Sequence, residues 1–166
     1  IDRINQFNPT PKLGNLESTD SCGEQPLLPY ESCNLGSINL NNFINNKKID
    51  YPKLKKVVHS AVHFLDNVID MCHYPLKENA VIVMKNRKIG LGVMGFADVL
   101  VRLRIPYDSE EAIKKAEEIM KFISEESMNA SSKLAQERGV FQSWQKSVYS
   151  NKNKIKLRNA TRTTIA

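Results

Sequence analysis

Long stretches with the apolar spacing of helices alternate with short apolar segments along this chain, and this alternation most constrains its fold. Apolar residues recur at three- and four-residue steps over 52–72 and 109–138, which predicts two amphipathic helices. The short segment 35–40 predicts a strand or a short helix, and 88–93 a strand that turns into a helix. A further strand is predicted over 155–166. Because strands and helices alternate, we predict the α/β class.

Local signals predict where the helices begin and end. Pro52 suits the first turn of the first helix, and Pro75 ends it. Asp108 and Glu111 have the spacing of a capping box for the second long helix, which Gly139 stops. The apolar face of the first helix is predicted to consist of Leu54, Val57, Val58, Ala61, Leu65, Val68 and Ile69.

The first 36 residues are predicted to be rich in loops. Four prolines in this part, Pro9, Pro11, Pro26 and Pro29, fix extended or turn conformations and exclude a long helix. The chain begins at Ile1 and ends in an apolar, β-prone stretch, so we expect it to be part of a longer chain.

Composition excludes several classes of protein. The chain is 41% hydrophobic and 25% charged, which is ordinary for a folded domain. No apolar run approaches the roughly 18 residues of a membrane span, so no membrane role is expected. Three cysteines do not make a disulfide framework, and a reducing cytoplasm is expected. The formal net charge of +6 leaves a basic nucleic-acid-binding module as a weaker alternative, because no stripe of base-stacking aromatic residues accompanies the basic clusters.

One cysteine lies between two carboxylates, each two residues away. If the loop is extended, Asp20, Cys22 and Glu24 point the same way and converge on one ligand. Two negative charges disfavour a thiolate nucleophile, so this spacing favours a thiol that gives and takes hydrogen atoms. The alternative is a small buried structural cysteine whose neighbouring carboxylates cap turns, which is the commoner role. Residue types alone leave both open.

A series of segments forms one ordered set of motifs over nearly the whole chain. They are Asn8-Pro9-Thr10-Pro11, Cys22-Gly23-Glu24-Gln25-Pro26-Leu27-Leu28-Pro29, Cys33-Asn34-Leu35-Gly36-Ser37-Ile38-Asn39-Leu40, and residues 65–70, 86–98, 137–141 and 158–166. Together they resemble the catalytic subunit of ribonucleotide reductases, and most of all its adenosylcobalamin-dependent, class II form.

The resemblance implies a fold and a reaction. The chain, residues 1–166, would be the central portion of a ten-stranded α/β barrel with a finger loop at its centre. Cys22 would carry a thiyl radical that takes the 3′-hydrogen of a ribonucleotide, and Glu24 would accept the 3′-hydroxyl proton. Cys33 would be one of two cysteines that supply electrons and form a disulfide, its partner lying upstream of Ile1. The isolated chain is expected to be inactive.

The resemblance also implies cofactor and partners. Adenosylcobalamin is the expected radical source, and the metal-radical subunit of class I enzymes is the alternative. The substrate would be a ribonucleoside di- or triphosphate, the reductant an external thiol protein such as thioredoxin, and the complete enzyme a homodimer. Neither a metal site nor a nucleic-acid partner is expected. The other reading is a non-catalytic, split or degenerate segment that contributes only barrel packing.

The chain departs from the family at two positions of the finger loop. Asp20 stands where the family usually has asparagine, and Ser21 where it usually has proline. A carboxylate only accepts hydrogen bonds, whereas an amide also donates them. Asp20 is still expected to accept a bond from a ribose hydroxyl, although it adds negative charge beside Glu24.

Two other patterns are set aside. Residues 90–95 have the glycine spacing of a dinucleotide fingerprint, but residues 85–88 before them are too polar for its buried strand, so close packing of a barrel strand is the favoured explanation. His59 and His63 share a helix face with Asp66 and Asp70, and we interpret them as solvated or half-buried side chains.

Overall fold

The computed structural model describes residues 2–151 and 154–164. The α-helices are α1 (Asp2–Asn5), α2 (Tyr51–Met71), α3 (Lys77–Asn86), α4 (Phe96–Leu103), α5 (Glu110–Arg138) and α6 (Val148–Asn151). The strands are β1 (Ser18–Thr19), β2 (Pro26–Leu27), β3 (Asn34–Asn39), β4 (Ile44–Asn45), β5 (Lys48–Ile49) and β6 (Ile89–Met94). The 3-10 helices are Pro11–Leu13, Leu40–Phe43 and Trp144–Lys146. This alternation confirms the α/β class.

Helix α2 forms where the apolar periodicity predicts it. The Asp50 side chain accepts a hydrogen bond from the Lys53 backbone N–H at 2.9 Å and caps the helix start, with Pro52 in the first turn. Most of the predicted apolar face is buried, but Val57 is exposed and is not part of the buried core. Val57 instead lies on the rim of the face, beside the groove between α2 and β3.

Helix α5 begins one residue later than the capping-box spacing indicates. The cap is Ser109 and not Asp108, because the Ser109 hydroxyl accepts from the Ala112 N–H at 3.2 Å and donates to the Pro106 carbonyl at 2.6 Å. The helix ends at Gly139 as predicted. The glycine has φ +83°, a left-handed conformation that other residues adopt at a cost.

Two parallel strands form the centre of the sheet. Strand β3 pairs with β6 from Asn34 opposite Ile89 to Asn39 opposite Met94. Beyond β6, Thr163 forms a single parallel bridge with Leu91. Within residues 2–151 and 154–164 these strands do not close into a barrel. Parallel strands need long crossover connections, and here these contain helices α2 to α5.

The predicted strand over 155–166 is wrong for most of its length. The backbone N–H of Arg158 binds the Ser131 carbonyl of α5 at 3.1 Å, and that of Ala160 binds the Asn86 carbonyl at 3.0 Å. These bonds to helices replace a strand ladder until the chain reaches β6. Residues 165–166 of the prediction lie outside the described residues.

Close packing explains a glycine at the start of β6. A Cβ atom at Gly90 would lie 2.5 Å from Leu35 Cδ2 of β3 and 3.2 Å from Thr164 Cγ2 on the other side. A side chain at this position would therefore force the Leu35 side chain to move and would press on Thr164. This is the packing role that the sequence favours for the glycine-rich segment.

The main core lies between the β3–β6 pair and helices α2 and α5. Its buried apolar residues are Ile38, Leu40, Phe43, Leu54, Val58, Val62, Leu65, Ile69, Val83, Ile89, Leu91, Val99, Ile119, Ile123, Ala130 and Leu134. No helix in the described part of the chain is both long and apolar enough to cross a bilayer.

Candidate active site

The candidate site is built on a hairpin that carries Cys22 at its tip. Strands β1 and β2 pair antiparallel, and the intervening loop turns at residues 21–23. The Asp20 N–H donates to the Gln25 carbonyl at 3.2 Å, and the Gly23 N–H donates to the Asp20 carbonyl at 3.1 Å. Gly23 has φ +85°, which this turn requires and which favours glycine. The loop is therefore a closed turn and not an extended segment.

Asp20 closes the base of this loop. Its Oδ1 atom accepts from the Gln25 backbone N–H at 3.0 Å, whereas Oδ2 is buried and has no hydrogen-bond partner among the described residues. The capping role considered for the carboxylates thus applies to one oxygen of Asp20.

Cys22 and Glu24 differ in exposure. Cys22 is exposed, and its Sγ lies 3.8 Å from the Ser21 hydroxyl, so the idea of a small buried cysteine is wrong. Glu24 is half-buried, with a buried Oε2 that has no partner in the described structure. Because the chain turns here, the alternation rule behind a common direction for Asp20, Cys22 and Glu24 does not apply. Only Gly23 lies between Cys22 and Glu24, so the Cα atoms of these two residues are at most about 7 Å apart.

The segment 158–164 supports the loop from the other side. The Gln25 amide donates to the Thr161 hydroxyl at 2.8 Å, and the Thr164 hydroxyl donates to the Glu24 carbonyl at 2.8 Å. Glu24 and Thr161 also line a cavity of about 200 Å³ beside the loop. The hairpin tip is therefore held against the sheet by side chains that follow in sequence more than 130 residues later.

Cys33 lies directly before β3 and is half-buried. Its Sγ donates to the Asn34 carbonyl at 3.3 Å. Burial raises the pKa of the Cys33 thiol to about 12; the Lys88 ammonium opposes this, while the carboxylates of Asp20, Glu31 and Glu24 add to it. The structure thus brings Cys33, Asp20 and Glu24 into one electrostatic neighbourhood. The thiol is free.

The raised pKa predicts slow alkylation of Cys33. At pH 8 a thiol of this pKa is almost entirely protonated, and only the thiolate reacts. We expect iodoacetamide to modify Cys33 at least about 100-fold more slowly than the exposed Cys22 and Cys72, with its rate still rising above pH 10. Peptide mass spectrometry of the labelled folded protein measures the three rates. Equal rates for the three thiols at pH 8 would contradict this assignment.

A fully buried ion pair lies beneath the hairpin, and sequence reasoning missed it. Lys88 Nζ is 2.6 Å from Glu31 Oε2, and Lys88 also donates to the Pro26 carbonyl at 3.0 Å. As the sequence predicts, residues 85–88 do not form the buried strand of a dinucleotide fingerprint, because α3 extends to Asn86. The sequence did not predict that Asn86, Arg87 and Lys88 are all buried. The sequence signal that could have indicated their burial is their position directly before an apolar strand.

A second buried network surrounds Asp66 on the predicted histidine face. Arg87 Nε contacts Asp66 Oδ1 at 2.8 Å, and the Asn159 amide donates to the same oxygen at 3.0 Å. His59 faces Glu126 at 2.7 Å, and His63 faces Arg138 at 2.7 Å. The described residues contain no cluster of three or more potential metal-binding His, Cys, Asp or Glu side chains.

Comparison with known proteins gives a consistent result. The family model for the ribonucleotide reductase barrel domain matches residues 1–163. The vitamin B12-dependent ribonucleoside-diphosphate reductase of Thermoplasma acidophilum is 53% identical over 167 residues, covering 100% of this chain and 22% of that protein. The protein of the same name from Mycobacterium tuberculosis is 47% identical over 166 residues, covering 100% of this chain and 24% of that protein. The chain therefore spans less than a quarter of the length of these curated relatives.

A solved structure supports the same fold. The class Id ribonucleotide reductase alpha subunit of Actinobacillus ureae superposes with a TM-score of 0.80 at 26% identity, covering 99% of this chain and 32% of that one. The fold of this chain is thus similar to part of the fold of that alpha subunit.

Proposed function

Because the chain belongs to the ribonucleotide reductase barrel-domain family, we propose that residues 1–166 are the central portion of the catalytic barrel in a longer subunit. This subunit reduces ribonucleotides to 2′-deoxyribonucleotides. The observation that carries the proposal is an exposed thiol, Cys22, at the tip of a braced hairpin, two residues from a carboxylate with a free buried oxygen. In the complete subunit the parallel strands continue into a ten-stranded barrel with this hairpin as the finger loop.

Cys22, Glu24 and Cys33 act in the proposed reaction. The Cys22 thiyl radical takes the 3′-hydrogen and becomes a thiol, while Glu24 accepts the 3′-hydroxyl proton. The 2′-hydroxyl then leaves as water. Cys33 and a second thiol outside this chain give two electrons and two protons and become a disulfide. Cys22 finally returns its hydrogen to the 3′ carbon and is again a thiyl radical, and Glu24 returns its proton to the 3′ oxygen. Water and one disulfide then balance the new C–H bond at the 2′ carbon.

The environment of Cys33 supports its proposed role. Its pKa of about 12 keeps the thiol protonated at neutral pH, so it retains the proton that the departing hydroxyl needs. Reduction of the resulting disulfide requires an external dithiol protein of the thioredoxin kind. The three free thiols fit a reducing compartment, and we place the enzyme, as a homodimer, in the cytoplasm.

For a radical transfer from adenosylcobalamin, the described residues supply the accepting thiol but no surface that would bind the cofactor. Cys22 is exposed and accessible to a bound cofactor, but the 200 Å³ cavity at Glu24 and the 690 Å³ groove between α2 and β3 do not include it in their walls. We therefore assign the corrin-binding surface to parts of the subunit beyond this chain. When bound, adenosylcobalamin supplies the radical; a separate metal-radical subunit is the alternative.

Turnover of the full-length subunit tests the proposal. A ribonucleoside diphosphate, the substrate class in the relatives' names, is incubated with the subunit and dithiothreitol, with and without adenosylcobalamin. Deoxynucleotide formed only in the presence of the cofactor supports both function and radical source. No product with either radical source would leave barrel packing as the role of this chain.

Replacing Glu24 with glutamine is expected to lower kcat by about 10²- to 10⁴-fold, the usual worth of a positioned general base. The amide is nearly isosteric and keeps the Thr164 bond, which uses the backbone carbonyl. KM for the nucleotide should change little, because the base acts mainly in the transition state. Steady-state kinetics of the full-length subunit provide the measurement. The control is Glu17→Gln, because Glu17 is exposed and lies directly before β1. An unchanged kcat would remove Glu24 from the mechanism.

Replacing Asp20 with asparagine is expected to preserve or raise turnover. Asparagine keeps an oxygen that accepts from the Gln25 N–H, so the loop stays closed, and it removes a negative charge beside Glu24. Asp20→Ala, which loses that bond, is expected to lower kcat. A large loss of activity in Asp20→Asn would show that the carboxylate has a positive role of its own.

A further inference from the structure

The buried pair of Lys88 and Glu31 is a feature that the reaction sequence leaves unused. We propose that Lys88, held by Glu31, is a positioning residue that fixes the Cys22–Glu24 loop relative to Cys33. This inference rests on the proposed function. Lys88 touches neither the substrate nor the reacting sulfur in the proposal and acts through the backbone that it holds.

The pair joins the starts of the two central strands. Glu31 lies three residues before β3, and Lys88 directly precedes β6. These strands begin side by side, with Asn34 opposite Ile89. Both charged side chains are 0% exposed, and their N–O distance is 2.6 Å. The pair therefore links the starts of β3 and β6 beneath the hairpin.

Both members of the pair also hold the strand that leaves the catalytic loop. Lys88 Nζ donates to the Pro26 carbonyl at 3.0 Å, and Glu31 Oε2 accepts from the Leu28 N–H at 2.9 Å. Pro26 lies two residues after Glu24. A displacement of the Pro26 and Leu28 backbone consequently moves the Glu24 carboxylate and the turn that presents Cys22.

The charges themselves point to a role beyond stability. The Asn86 amide donates to Glu31 Oε1 at 2.6 Å, so the pair is well satisfied by hydrogen bonds. Even so, well-packed apolar side chains of similar volume often stabilise a fold as well as a buried ion pair does. Directional bonds to the Pro26 and Leu28 backbone are what an apolar replacement cannot reproduce.

Electrostatics connect the same lysine to Cys33. Burial raises the pKa of the Cys33 thiol, the Lys88 ammonium lowers it, and the carboxylates of Asp20, Glu31 and Glu24 raise it. Lys88 therefore lies close enough to act on both the loop and the reducing thiol. Its loss changes the position of the loop and the charge balance at Cys33 together.

A charge-free double variant separates positioning from stability. In the full-length enzyme, Lys88→Met and Lys88→Met/Glu31→Leu are compared with wild type for Tm, kcat and KM. We expect the single variant to lose the most stability, and the double variant, which leaves no buried charge unpaired, to recover a large part of that loss in Tm. The double variant should still have a kcat about 10- to 100-fold lower, with KM changed less than about threefold.

The matched control is Lys115→Met/Glu118→Leu in a solvent-accessible ion pair on α5, which should leave kcat unchanged. A double variant with wild-type kcat and restored Tm would overturn the positioning role. If the double variant does not fold, Glu31→Gln is measured in its place, because it keeps the side-chain volume and an accepting oxygen. The same lowered kcat with a nearly unchanged KM is then expected, and a wild-type kcat would overturn the positioning role. A wild-type enzyme without turnover would refute the proposed function itself, which is a different result from an active double variant.

Discussion

Replacing Cys22 with serine is expected to abolish deoxynucleotide formation in the full-length enzyme, a loss of at least about 10⁴-fold. That loss corresponds to more than about 5 kcal/mol of transition-state stabilisation. An S–H bond is weak enough to exchange a hydrogen atom with a sugar carbon in both directions, whereas the stronger O–H bond of serine cannot sustain the cycle. Product formation is measured by chromatography of the nucleotides after incubation with reductant and radical source.

The fold should tolerate this substitution. Cys22 is exposed at the hairpin tip, and serine has almost the same size, so the Tm should stay within about 2 °C of wild type. Cys72→Ser is the matched control, because Cys72 is also an exposed free thiol but has no proposed role. Retained activity in Cys22→Ser, with Cys72→Ser also active, would favour the non-catalytic reading of this segment.

Replacing Asp66 with alanine is expected to destabilise the barrel segment by about 3–5 kcal/mol, the usual cost of removing one member of a buried ion pair. Asp66 is 0% exposed and accepts bonds from both Arg87 and Asn159. Its loss leaves Arg87 Nε and the Asn159 amide buried without this acceptor, while the rest of the Arg87 guanidinium keeps Asp70 as a partner. Hydrogen exchange of the backbone amides of α2 and β6 in the full-length enzyme should become about 10²- to 10⁴-fold faster.

Asp70→Asn provides the control for this prediction. Asp70 binds the same guanidinium at 2.7 Å, but its side chain is 44% exposed, so we expect a loss below about 1 kcal/mol. Hydrogen bonding from Arg87 lowers the pKa of Asp70. A lowered folded-state pKa adds stability above about pH 4 that is lost as the pH falls further, so wild type and Asp70→Asn should converge in acid. Equal effects of the two substitutions at pH 7 would contradict the role of burial.

The long helices and the parallel strands could be predicted because their signals are local. Apolar periodicity gives α2 and α5 to within about two residues, and a single glycine marks the end of α5. The cap at Ser109 was missed because Asp108 is an equally suitable cap in chemical terms. The choice depends on a bond from Ser109 to the Pro106 carbonyl, which requires the folded turn.

The candidate site could be predicted only in part. Motif resemblance selects Cys22, Glu24, Asp20 and Cys33, but not the turn that separates the exposed thiol from the half-buried carboxylates. The backbone conformation of the loop could not be predicted, because residue spacing indicates where side chains point only when the backbone is extended.

The supporting pair of Lys88 and Glu31 could not be predicted for a different reason. Lysine is almost never fully buried unless it is paired, and the pairing joins residues 57 positions apart in sequence. Likewise, the strand predicted for 155–166 failed because Arg158 and Ala160 bond to helices that only the folded chain brings near them. Long-range polar contacts carry no periodic signal.

A structure of the full-length enzyme with a bound ribonucleotide tests the central claim most directly. The account predicts the Cys22 sulfur within about 4 Å of the 3′ carbon of the ribose, the distance of a near-attack arrangement. It also predicts the Glu24 carboxylate within hydrogen-bond reach, about 2.6–3.2 Å, of the 3′-hydroxyl. A nucleotide bound with its ribose more than about 8 Å from Cys22, and with its 3′-hydroxyl on groups other than Glu24, would contradict the account.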